Sequence, residues 1–161
     1  MNKDELKQLM PRNKDDEERA KYIVSLGYAN LELVINDMLR WLRVSESPVA
    51  DVFIDFFSKN GTLASAAISQ ILKTSRLSIL RYVIVTRVLP NWPRQAIENL
   101  QGSLSGFVTD SGEPETALKS LELLIKHELG KKDWLKGWLE FITERLERNA
   151  TEARKIRDTY F

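Results

Sequence analysis

The chain of 161 residues contains no cysteine. Disulfides, thiolate nucleophiles and cysteine-based zinc sites are therefore excluded together. Histidine occurs once, at His127, beside Lys126 and just before Gly130. A metal centre needs clustered donors, so no metal site and no cofactor are expected. The lone imidazole reads instead as a group at a helix C-terminus, where the dipole favours its charged form. No stretch approaches the 18 or so apolar residues of a membrane span. The opening Met1-Asn2-Lys3-Asp4-Glu5 lacks the apolar core of a signal peptide, and a cytoplasmic address is expected. Seven glycines and five prolines are few enough that each serves as punctuation.

One absence is local. Between Phe56 and Ile97 there is no Asp or Glu, while Lys59, Lys73, Arg76, Arg81, Arg87 and Arg94 supply six cations. The whole chain is nearly neutral at +1. Residues 1–55 carry 8 basic and 11 acidic side chains, and residues 98–130 carry 2 and 6. A basic middle between two acidic flanks points to a surface for an acidic partner.

What is present reads as helix almost throughout. With 43% hydrophobic and 29% charged residues the chain is globular, and its length fits a single domain, 1–161. A short helix over 3–9 ends at Met10-Pro11. The next begins near Asp15, where Asp15 and Glu18 have capping-box spacing, and stops at Gly27. Asn30 is placed to cap a helix bearing Leu31, Val34, Ile35, Met38, Leu39 and Leu42. Ser47-Pro48 restarts the chain, with a capping serine before a proline at the first helical position. Asn60-Gly61 ends that helix and Thr62 opens another. Ser75 caps a helix to Val88, in which Tyr82-Val83-Ile84-Val85 also permits a buried strand; length and the lack of a partner strand favour helix.

Pro90-Asn91-Trp92-Pro93 is a rigid turn, because proline excludes the α conformation from the preceding residue. A helix from Arg94 to about Leu104 follows, then a loop from Gly106 to Gly112. Pro114 starts a helix closing at Gly130. The last helix, 133–159, carries an apolar stripe through Trp134, Trp138, Ile142, Leu146, Ala153, Ile156 and Tyr160. Trp134, Trp138 and Phe141 are expected in the core.

Paired, these segments give hairpins at about 15–44, 47–73, 75–105 and 114–159. That spacing predicts an all-α protein, arranged as a short α-solenoid of HEAT or armadillo-like hairpins, with a compact helical bundle as the alternative.

Four short motifs sharpen this. Met10-Pro11-Arg12-Asn13-Lys14-Asp15, Leu26-Gly27-Tyr28, Leu39-Arg40-Trp41-Leu42 and Pro48-Val49-Ala50 follow one another in the order found in a bacterial family of small HEAT-like helical domains. Over residues 9–125 the chain resembles that family, which shows a Pro-Lys-x-Lys-x-Asp opening, a Leu-Gly-Tyr-Pro turn, a Leu-x-Trp-Leu helix end and an Asn-Trp-Pro-Val-Ala restart. Ala29 stands where the family has proline, and Glu46-Ser47 where it has Asn-Trp. The resemblance implies a helical-hairpin fold and bacterial origin; the family has no established activity.

Signs of catalysis are missing. Gly102-Ser103-Leu104-Ser105-Gly106 has leucine where a nucleophile elbow needs serine, and it lacks the Lys-Ser/Thr ending of a phosphate loop. It reads as a helix end fraying into a loop. Asp15-Asp16-Glu17-Glu18 reads as a solvated, dipole-matched helix start. The expectation is a non-enzymatic protein-binding module, immunity-type proteins being one version, that engages an acidic partner through Arg76, Arg81, Arg87, Trp92 and Arg94. A partly exposed Trp92 would serve as its hot spot. A nucleic-acid-binding helical-repeat protein and an enzyme with an unrecognised site are the alternatives.

Overall fold

The computed structural model describes residues 1–110 and 112–160, and within them every regular element is helical. The chain gathers into two compact units, Met1–Ser103 and Leu104–Phe161. No helix among the described residues is long and apolar enough to cross a membrane.

The first unit opens with α1 (Lys3–Leu9), whose Asn2 and Glu5 form a reciprocal capping box. Arg19 of α2 (Glu17–Ser25) then clamps the Met10–Asp16 segment, donating to the carbonyls of Gln8 at 2.7 Å and Met10 at 3.4 Å. The expected Asp15 cap does not form. Asp16 occupies the cap position, and its carboxylate accepts from the backbone N–H of Arg12 instead of a helix donor. Gly27 takes the positive φ of 80° that lets α2 stop.

Asn30 is likewise no N-cap. Its side chain reaches back to the carbonyl of Leu26, while α3 (Tyr28–Leu31), a 3₁₀ turn (Glu32–Val34) and α4 (Ile35–Trp41) run on without a break in burial. Leu31, Val34, Ile35, Met38, Leu39 and Leu42 are all buried, as their spacing predicts.

Helix α5 (Pro48–Lys59) is the hub. It packs on α2, α4, α6 (Gly61–Thr74) and the segment that follows α7 (Ser78–Val83). Ser47 Oγ accepts from the Ala50 N–H at 3.2 Å, as the Ser-Pro start predicts. Phe53 and Phe57 are fully buried, each worth about 1.5–3 kcal/mol of transfer free energy.

Beyond Val83 the helix widens into a π-helical turn (Ile84–Val88) and tightens into a 3₁₀ turn (Leu89–Asn91) at Pro90. The β-branched run is therefore helical, with Val83, Ile84, Val85 and Val88 buried. Trp92 follows and is only 2% exposed, correcting the expectation of an exposed hot spot. Its indole N–H donates to the Phe57 carbonyl at 3.0 Å, and its ring lies flat against Gly61. Two interior elements of the sequence reading also shift. In place of one helix from Arg94 to about Leu104 there are two, α8 (Arg94–Glu98), one turn long, and α9 (Gln101–Thr109), which runs through the expected frayed end at Gly102–Gly106 and into the expected loop. Ser111, part of that expected loop, lies outside the described residues.

The second unit is built on α10 (Pro114–Lys126) and α11 (Lys132–Tyr160), which pack together. His127 holds the C-cap position of α10, and Gly130 turns the chain with φ 110°. Leu135 and Ile142 of α11 are buried, but every residue from Glu147 to Tyr160 is exposed. The aromatic expectation fails here: Trp134 and Trp138 are half-buried and Phe141 is 53% exposed.

Two stability predictions follow from this packing. A Cβ at Gly61 would lie 2.7 Å from the Trp92 ring, whereas one at Gly106 would meet nothing within 4 Å. Gly61→Ala should cost about 1–3 kcal/mol despite its better helix propensity, and Gly106→Ala should gain about 0.5–1 kcal/mol. Urea titration reads both as midpoint shifts of opposite sign.

Tyr28 stacks on Phe56 with ring centroids 6.0 Å apart. Burial, reinforced by the nearby Glu32 carboxylate, pushes its phenol above the ordinary tyrosine range. The unfolded chain therefore loses this proton first as pH rises, so the stabilisation is full below about pH 10 and drains away through the folded-state ionisation. Tyr28→Phe should lose less stability than the wild type over that alkaline window in urea melts at stepped pH.

Candidate binding groove

The basic middle of the chain does not act as one unit. Arg87 is already engaged on the surface, with Nη1 donating to the Ser45 carbonyl at 3.0 Å and Nη2 to Asp51 Oδ1 at 2.8 Å. Arg94 pairs with Glu98 at 3.3 Å, one helical turn away, and Lys59 with Asp55 at 2.7 Å. These exposed pairs hold their geometry but contribute only about 0–1 kcal/mol each. Arg81 aims its Nε and Nη2 at the Ser75 carbonyl, at 3.3 and 2.9 Å, which pins the Ser75–Leu77 link between α6 and α7. Trp92 is inside. Of the five residues read from the sequence, Arg76 is exposed and has no hydrogen-bond or ion-pair partner among the described residues.

Beside Arg76 lies a feature the sequence reading missed. The 3.6-residue period puts Asn36, Arg40 and Arg43 on one side of α4 and its C-terminal extension, at positions i, i+4 and i+7. Gln70, Ile71 and Thr74 face them from α6, and Ser75, Leu77 and Leu80 close the end. The groove between them measures about 350 Å³. Its floor is apolar, from Ile71, the buried Leu80 and the half-exposed Leu77.

The polar groups divide into two kinds. Thr74 and Ser75 are already engaged: Thr74 Oγ1 donates to the Gln70 carbonyl, and Ser75 Oγ accepts from the Leu77 N–H. The Arg43 guanidinium, by contrast, has no side-chain partner among the described residues, and Arg40 has one, Asp37 at 3.2 Å. Lys73, one turn beyond Gln70, and Arg76, between Ser75 and Leu77, are exposed and have no ion-pair partner among the described residues, but neither lines the groove.

Among the described residues, no carboxylate, histidine or cysteine lines this groove. It therefore offers no general acid or base, and what it can do is hold an anionic group against an apolar floor. Arg40 and Arg43 escaped notice because they sit in the acidic block 1–55; the available signal was their spacing from Asn36 on one helix face.

A larger groove of about 650 Å³ runs between α2 and α5, but its charges cancel internally. Lys21 pairs with Glu17, Lys59 with Asp55 and Arg87 with Asp51. Among the described residues no cluster of three or more His, Cys, Asp or Glu could hold a metal ion. No family model matches the chain and no curated protein matches its sequence, so the reading of the α4/α6 groove rests on its own geometry.

Proposed function

We propose that the chain is a non-enzymatic binding module that receives an acidic segment of a partner protein in the α4/α6 groove. The observation that carries this is the unpaired Arg43, with Arg40 beside it, over an apolar floor free of carboxylates. Arginine presents a planar fork of donors that matches a carboxylate bidentately. Ile71, Leu77 and Leu80 would take an apolar side chain next to that carboxylate, so the favoured partner segment alternates acidic and aliphatic residues.

Two lining cations, Arg40 and Arg43, are few for a nucleic-acid track, and the apolar floor has no use for a phosphate backbone. The same reading takes the helices as HEAT-like hairpins, in line with the family resemblance over residues 9–125. An immunity-type protein that neutralises an acidic partner in a bacterial cytoplasm is its most concrete form.

The test uses a fluorescent peptide of alternating Glu and Leu, followed by anisotropy at low salt. Arg40→Glu/Arg43→Glu should weaken binding at least about tenfold, the scale of one to two charge-assisted contacts, with an unchanged helical circular dichroism spectrum. Affinity should also fall as salt rises. Equal binding by the folded variant removes the groove from consideration. Tighter binding to a DNA duplex than to the peptide, with a steep dependence on log salt, replaces the acidic protein by nucleic acid.

A further inference from the structure

The first three turns of α11 carry a second, chemically different site. Trp134, Trp138 and Phe141 stand at i, i+4 and i+7. Their rings touch in sequence, with centroids 6.2 Å apart between Trp134 and Trp138 and 5.3 Å between Trp138 and Phe141. The second contact is edge-on at 83°, so the rings stand as walls rather than lying as a stack. Gly137 sits between Trp134 and Phe141 on the helix surface, and nothing lies within 4 Å of the place its Cβ would occupy. The missing side chain opens a shallow notch of about 330 Å³, walled by the three aromatics and rimmed by Asp133.

Charge decides what fits. The Asp133 carboxylate has no hydrogen-bond or ion-pair partner among the described residues, although it rims the notch. Glu140 and Glu144 continue its side of the helix at i+7 and i+11. Lys132 projects about 140° away from Gly137, at roughly 100° per residue. Lys136, about 100° round, leans toward Glu140 at 3.9 Å. Aromatic faces attract a cation through their quadrupole, and a carboxylate at the rim rewards a cation that also carries N–H donors. A planar guanidinium meets both demands, stacking on a ring while its edge donates to Asp133.

We propose that this notch binds an arginine side chain presented by a partner polypeptide, with Trp134, Trp138 and Phe141 as its walls and Asp133 as its counter-charge. This site belongs to the second unit and stands independently of the α4/α6 groove.

The test is nuclear magnetic resonance of the intact chain with the peptide acetyl-Gly-Arg-Gly-amide at millimolar concentration. The Trp134 and Trp138 indole N–H signals should shift and saturate, while that of buried Trp92 stays in place. The same peptide with citrulline, which keeps the shape and loses the charge, should bind at least about fivefold more weakly. Gly137→Leu fills the notch on an open helix face, so it should abolish the shifts while leaving the melting temperature unchanged or higher. Asp133→Asn should weaken the arginine peptide and leave the citrulline peptide unaffected. Equal shifts with citrulline, saturable shifts surviving in Gly137→Leu, or no shift of either indole would each overturn the proposal.

Discussion

The first unit depends on one indole ring. Helix α5 ends with carbonyls beyond the reach of the regular helical pattern; the cap N–H of Asn60 meets the Phe57 carbonyl at 3.2 Å, and two side chains add further donors. Asn60 Nδ2 reaches the Phe56 carbonyl at 2.7 Å, and Trp92 Nε1 reaches that of Phe57 at 3.0 Å from 35 residues further on. The Trp92 ring then rests on Gly61, where no other residue leaves room for it. One side chain thereby closes the end of α5, fixes where α6 departs and anchors the turn after Val88. Helix α6, which starts under this ring, carries Gln70, Ile71 and Thr74 along the groove wall that faces α4.

That role also explains why Trp92 was misread. Flanked by Pro90 and Pro93, it has every local mark of a surface turn. Nothing nearby reveals that its partner is a glycine at the start of α6. The punctuation was otherwise legible wherever it acts within a few residues: Ser47-Pro48 starts α5, Asn60-Gly61 separates α5 from α6, Pro114 begins α10, and the Leu31 to Leu42 stripe is buried. It failed where polar side chains had two local choices. Asn30 and Asp16 both sit at helix starts, and both spend their side chains on the preceding segment instead. Gly102 and Gly106 look like a helix ending, yet neighbouring Leu104, Phe107 and Val108 are buried, and α9 stays helical through both glycines.

Charge shows the same division between chain and space. A segment without carboxylates looks like an exposed basic surface only while the chain is read as a line. Once folded, Asp51 and Asp55 of α5 meet Arg87 and Lys59, and Glu98 lies one turn from Arg94. Acidic side chains from the two flanks have supplied counter-ions to three of the six cations of the basic middle, and the Ser75 carbonyl holds Arg81. Lys73 and Arg76 of that middle are left without an ion-pair partner among the described residues, as is Arg43 from a block that is acidic on average. Unpaired charge rather than local charge density marks a surface able to take a partner, and pairing is a property of the fold.

Helix α11 makes the corresponding point for hydrophobicity. Its apolar period runs unbroken from Trp134 to Tyr160, and a period of 3.6 says which face would be buried if something covered it. Cover is finite. The 13 residues of α10 span about 20 Å, against about 43 Å for the 29 residues of α11. Burial accordingly reaches Ile142 and ends before Glu147, leaving Ile156 and Tyr160 more than half exposed. Trp134, Trp138 and Phe141 lie within the covered length but offset around the helix from Leu135 and Ile142, the two residues buried there. Gly137 keeps their side of the helix open where any larger residue would have filled it. A row of aromatics that looks like core in the sequence becomes a walled notch when it sits one-quarter turn off the packed face.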